Sequence, residues 1–181
     1  MNLWGFLLKC VGWSVDIHVP YRNKCIICVA PHTSNWDFPI GLFAYRSIGR
    51  KANFLMKGFW FFFPMKYLMR ALGGIPVYRK KFHTSLTDYI ISRFKTSSHL
   101  NLAVTPEGTR KAIKNWRTGF LYIAYGANIP IQIGIIDYKT KQVIIRDEYF
   151  PSGDVEIDMS KIKSYYAGLS DAALYPTKFS L

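Results

Sequence analysis

The chain has 181 residues, half of them hydrophobic and 17% aromatic, with a formal net charge of +13. That length carries one domain with a sizeable core, and that apolar content excludes a disordered protein. No acidic residue falls between Phe38 and Thr87, whereas Arg46, Arg50, Lys51, Lys57, Lys66, Arg70, Arg79, Lys80 and Lys81 all do; such a field attracts something anionic, whether nucleic acid, a phospholipid surface or a phosphorylated substrate.

In chain order, MNLWGFLLKCVGW opens with a short apolar run broken by Lys9 and lacks a small-residue cleavage site. It reads as the start of an amphipathic, membrane-associating segment over residues 1–20, ahead of one domain over 21–181, and not as a secretory signal. No stretch of about 18 uncharged apolar residues is present, so no spanning helix is expected. CIICVA (25–30) is a buried strand, and strand alternation sends Cys25 and Cys28 to opposite faces. An odd count of three cysteines suggests a reducing compartment, and Cys25 and Cys28 read as buried thiols in preference to a redox or zinc pair. A helix near 36–48 follows, then the strand ANFLMK (52–57) and a helix near 59–71. The aromatic run GFWFFFPMKYLMR (58–70) mixes rings with Lys and Arg, which suits a membrane interface, a core helix with a basic outer face, or stacking on nucleic-acid bases. Next come a short strand at IPV (75–77), a helix near 84–96, the strand NLAVT (101–105) and a helix near 116–126. IPIQIGIID (129–137) and KQVIIRD (141–147) flank the turn DYKTKQ. A last helix near 159–168 precedes an extended tail, ALYPTKFSL. Strands alternating with helices predict a single-domain α/β fold, its mixed and mostly parallel sheet flanked by helices.

Four stretches carry chemistry. In APHTSNWDF, His32 and Asp37 are five positions apart, which in a regular helix leaves them about 140° out of line. They meet only if His32 sits in a loop and Asp37 in the first helical turn, and Thr33, Ser34 and Asn35 are residues that cap helix starts. Such a His32 stands at the carboxyl edge of the sheet, where open α/β sheets bind ligands. A carboxylate on one imidazole nitrogen leaves the other a better base, able to take a proton from a hydroxyl; the plainer reading is a capping Asp and an incidental His. In GGIPVYRKK (73–81), Arg79 can grip a phosphate bidentately. In TPEGTR (105–110), Gly108 lets backbone N–H groups approach an anion and Arg110 adds charge, while Glu107 orients an arginine or contacts acceptor hydroxyls; an ordinary turn looks similar. NIPIQIG (128–134) could wall an acyl pocket, as could any buried strand. No GxSxG elbow is present, so direct attack by a substrate hydroxyl is expected, without a covalent enzyme intermediate.

Together the four stretches resemble the glycerolipid acyltransferase family, which includes lysophosphatidic acid acyltransferases. Its H-x₄-D block corresponds to His32–Asp37, its Gly-Ile-Pro-Val-x-Arg block to Gly74–Arg79, its Pro-Glu-Gly-Thr-Arg block to Pro106–Arg110, and its apolar stretch around a proline to Ile129–Ile133. Departures are Pro31, Tyr78, Thr105 and Lys111, where many members have Asn, Asp, Phe and Ser.

The resemblance implies a glycerol-3-phosphate acyltransferase-like fold and transfer of a fatty acyl group from acyl-CoA or acyl carrier protein to a lysophospholipid-like hydroxyl, in phospholipid biosynthesis. His32 is then the general base and Asp37 orients it. Arg79, Gly108, Thr109 and Arg110 hold the acceptor phosphate with support from Glu107, and Pro130 contributes to the acyl side. It implies no cofactor or metal, no nucleic acid, and work on an anionic membrane at its cytoplasmic face, peripheral or monotopic. The acceptor could be lysophosphatidic acid, another lysophospholipid or an amino-acid-containing lysolipid. Two other classes remain: a hydrolase on the same site, and a non-enzymatic basic module binding membrane or nucleic acid.

Overall fold

The computed structural model describes residues 2–78 and 85–181. Arg79 lies outside the described residues. In chain order the elements are α1 (Leu3–Cys10), β1 (Ser14–Ile17), β2 (Lys24–Val29), α2 (Asp37–Ser47), β3 (Asn53–Lys57), α3 (Met65–Leu72), β4 (Gly74–Val77), α4 (Leu86–Thr96), β5 (Leu100–Val104), α5 (Gly119–Ala127), β6 (Ile131–Asp137), β7 (Gln142–Tyr149) and α6 (Val155–Tyr165). Among the described residues the strands form one sheet in the order β1-β7-β6-β2-β5-β3-β4. Every pairing is parallel except β6 with β7. This is the expected single-domain α/β fold with a mixed, mostly parallel sheet.

The central strand β2 is covered on both faces, which its unbroken CIICV run requires. Ile26 and Cys28 face the larger core, with Phe94 of α4, Leu121 of α5 and Ile162 of α6. Cys25 and Ile27 face the other way, toward Tyr45 of α2. Burial pushes both thiols up to about 12, so they remain protonated packing groups.

Four expectations need correction. Residues 1–20 are not a segment apart from the domain. Ser14–Ile17 pairs with β7 at the sheet edge, Leu8 of α1 is buried, and the Trp4 ring meets Phe43 of α2. The helix expected from residue 59 begins at Met65, after a 3₁₀ turn at Gly58–Trp60 and an irregular stretch through Pro64. The last helix starts at Val155 because the Asp154 side chain accepts the N–H groups of Glu156 and Ile157. The C-terminal residues are folded into 3₁₀ turns at Ser170–Ala172 and Pro176–Lys178, and the Trp116 indole donates to the Ser180 carbonyl at 3.1 Å.

Because β2 and β5 are parallel neighbours, with Cys28 opposite Val104, the loops after them emerge side by side. Those loops carry the first and third motifs.

Candidate active site

His32 lies in the loop just past β2, and Asp37 is the first residue of α2. His32 Nδ1 stands 2.8 Å from Asp37 Oδ2. That same oxygen accepts the backbone N–H groups of Thr33 and Ser34, each at 3.0 Å. The capping relationship is therefore the reverse of the one expected. Asp37 gathers the loop amides, and besides the His32 ring the Ser34 hydroxyl reaches the helix start, accepting the Trp36 N–H at 3.1 Å. With a carboxylate as acceptor, Nδ1 is the donor of the His32–Asp37 contact, and in a neutral imidazole that leaves the Nε2 lone pair facing away from Asp37. Asp37 is 4% exposed, while the His32 side chain, 16% exposed, remains reachable.

Glu107 approaches from the neighbouring loop. Its Oε1 accepts the backbone N–H of His32 at 2.7 Å, so it braces the histidine's main chain. Its Oε2 is buried without a hydrogen-bond partner among the described residues. Burial pushes this carboxyl up to about 7; the His32 N–H opposes that shift and the nearby Asp37 charge adds to it.

Beyond Glu107 the turn opens to solvent. Gly108 has φ +64°, a left-handed conformation that glycine adopts without strain. The Thr109 hydroxyl accepts the Lys111 N–H at 3.4 Å, and Arg110 and Lys111 are exposed. Arg117 was not anticipated. Its N–H donates to the Pro106 carbonyl at 2.7 Å, and its side chain lies so close over Gly108 that an added Cβ would stand 3.2 Å from its Cγ. Only the chain's return to this turn brings it there, so no local spacing signals it. Tyr138, at the end of β6, was missed for the same reason; its hydroxyl donates to Asp37 Oδ1 at 2.6 Å.

Pro130 is not brought to this site. Its carbonyl accepts the Ile26 N–H at 2.9 Å, at the opposite end of β2 from His32. The part of β6 that approaches the histidine is Gly134–Ile136, past an irregularity in register between Ile133 and Gly134. There it helps to wall a cavity of about 410 Å³ between α2 and the sheet. His32 and Asp37 line it together with Phe38, Gly41 and Leu42 of α2 and with Ile27, Phe54 and Ile136 of the sheet. The lining continues to Tyr45, about 12 Å farther along α2. The arrangement thus joins a histidine held by a carboxylate to a long apolar cavity, beside a basic turn.

An Acyltransferase family model matches residues 15–134. The fold resembles the crystal structure of the 1-acyl-sn-glycerophosphate (LPA) acyltransferase PlsC from Thermotoga maritima, with a TM-score of 0.60 at 18% identity over 91% of this chain and 77% of that one. No curated protein sequence matches this chain. With a family model spanning most of its length and both loops of the site, the chain belongs to the acyltransferase family.

Proposed function

We propose that the protein transfers a fatty acyl group from a thioester, acyl-CoA or acyl carrier protein, to a hydroxyl of a lysophospholipid-like acceptor at a membrane surface. The observation that carries this reading is the His32–Asp37 pair, 2.8 Å apart, lining an apolar cavity. His32 Nε2 takes the acceptor's hydroxyl proton as its oxygen attacks the thioester carbonyl. The tetrahedral intermediate then collapses, expelling the thiolate, which takes the proton back from the imidazolium. The cavity suits an acyl chain, since its aliphatic and aromatic walls offer little to a polar guest. Arg110 and Arg117 flank the Gly108 turn, where an acceptor phosphate would find cations and backbone N–H groups.

Exposed rings support work at a membrane. Phe59 is 80% and Phe63 75% exposed, with Trp60, Phe62, Tyr67 and Leu68 also open and Lys57 and Arg70 among them. This run follows directly on Met56, a residue of the cavity wall. Arg46 ties α1 to the same side: its carbonyl accepts from Asn2, its guanidinium lies over Trp4, and its Nη2 donates to the Ala71 carbonyl at 2.8 Å. The outer face of α1 adds Leu3, Phe6 and Leu7, and the residue capping its end adds Val11. Rings with interspersed cations fit an anionic headgroup layer. No helix among the described residues is long and apolar enough to cross a membrane.

The test is a panel of lysolipid acceptors with one labelled acyl thioester, read by product mass. An acylated lipid that forms only with acceptor present is expected. Free fatty acid at the same rate with or without acceptor would overturn transfer in favour of hydrolysis.

A further inference from the structure

The Tyr138 hydroxyl lies 2.6 Å from Asp37 Oδ1, the carboxylate oxygen that His32 does not use. We propose that Tyr138 is a positioning residue for the reaction, a third member of a Tyr138–Asp37–His32 chain that holds the carboxylate in the plane needed to aim the base. This inference rests on the proposed role of His32 and Asp37.

Asp37 is almost wholly buried, and a buried carboxylate is tolerated only when its lone pairs are met. Oδ2 has three partners within its own loop, His32, Thr33 and Ser34. Those contacts hold one oxygen, all from the loop side. The phenol, which comes from 101 residues away, holds the second oxygen, Oδ1, so the carboxylate plane is fixed at both of its oxygens. Tyr138 is itself held from two further directions. Its ring stands edge-on to Trp13 at 5.0 Å, and its backbone N–H donates to the Ala172 carbonyl at 2.8 Å. Burial and the Asp37 carboxylate both push the phenol above its ordinary range, so it stays a donor. A hydroxyl needed only for packing would not require an anchored approach to the one oxygen left unsatisfied.

Tyr138→Phe removes the hydroxyl and keeps the ring against Trp13. The expected result is a fall in kcat of about tenfold, of the order one hydrogen bond to a charged group provides, with KM for donor and acceptor within about twofold. The low-field proton resonance of His32 Nδ1–H, identified by its loss in His32→Ala, should move in the variant. Incorporating 3-fluorotyrosine at position 138, a stronger donor of nearly the same shape, should move that resonance in the opposite direction while keeping the fold. A kcat within about twofold of the parent enzyme, a loss confined to KM, or a resonance unmoved by either replacement would overturn the assignment. His32→Ala, measured alongside, separates the two levels. If it remains active, the general-base reading fails and this inference with it. If it is inactive while Tyr138→Phe behaves as the parent, only the Tyr138 assignment fails.

Discussion

The backbone N–H of His32 donates to Glu107 Oε1 at 2.7 Å, joining two loops 75 residues apart. Glu107 is 2% exposed and its second oxygen has no partner among the described residues. An acid in this position prefers to be neutral, and its value of about 7, against an ordinary 4.5, expresses that preference.

The pH dependence of stability follows. The folded state binds this proton more tightly than the unfolded chain does. Unfolding therefore releases a proton between pH 4.5 and 7, and stability falls as pH rises through that window, by up to about 3 kcal/mol. Glu107→Gln keeps the carbonyl that receives the His32 N–H and cannot ionise. Its melting temperature should gain on that of the parent protein from pH 4.5 to 7, then run parallel above. Curves parallel across the whole range would show that Glu107 does not titrate there.

His32→Ala removes the proposed base and leaves its loop held by the Asp37 and Glu107 carboxylates, apart from the imidazole contact itself. General-base catalysis contributes about 10²–10⁴-fold, so kcat should drop by at least that much with little change in the circular-dichroism spectrum. A folded variant that still transfers acyl groups at a near-normal rate would remove the histidine from the chemistry.

How far the sequence reaches is clear from these residues. His32 and Asp37 are legible because their relation is local: a strand end, a loop of small polar residues and a helix start. The order of strands and helices is legible because apolar runs alternate with helical spacing, and β2 needs no neighbour to be recognised as buried. β1 was not legible. SVDI is four residues long with an aspartate inside, and the partners of Asp16, Arg146 and His18, meet it only in the folded chain. Tyr138 and Arg117 reach the site through the return of the chain after β6 and after the Pro106 turn, which no short-range spacing encodes. Pro130 misled for the complementary reason. A proline opening an apolar strand looks the same whichever end of the sheet it occupies, and here it starts β6 at the far end from His32.

If the cavity holds the acyl chain as proposed, its walls set the chain length that fits. Gly41 faces it from α2, and an added Cβ there would meet Ile136 Cδ1 at an ordinary 3.6 Å. Gly41→Leu should fill part of the space, and replacing a helical glycine favours α2 by up to about 1 kcal/mol. The variant should remain stable while its preference moves toward shorter donors, read as kcat/KM across a series of acyl thioesters. An unchanged chain-length profile would place the acyl group elsewhere.

The exposed rings are tested best by point changes. Truncating α1 would strip buried Leu8 from the core and leave the sheet edge at β1 unsupported. Phe59→Ser with Phe63→Ser changes two open side chains, one in the 3₁₀ turn and one in the irregular stretch before α3, and leaves the buried residues untouched. Burying a phenylalanine is worth about 1.5–3 kcal/mol when complete. Partial insertion of two rings into the interface should therefore make partitioning onto vesicles weaker by at least about tenfold. The loss should appear with vesicles of phosphatidylglycerol in phosphatidylcholine. Binding by the parent protein should itself weaken as salt is raised, because Lys57, Lys66 and Arg70 contribute through charge. Transfer to a short-chain acceptor dissolved below its micellar concentration should survive the double substitution, since neither ring lines the cavity. Undiminished sedimentation of the variant with anionic vesicles would shift the membrane contact to α1, and Leu3→Ser with Phe6→Ser would then be the change that abolishes it.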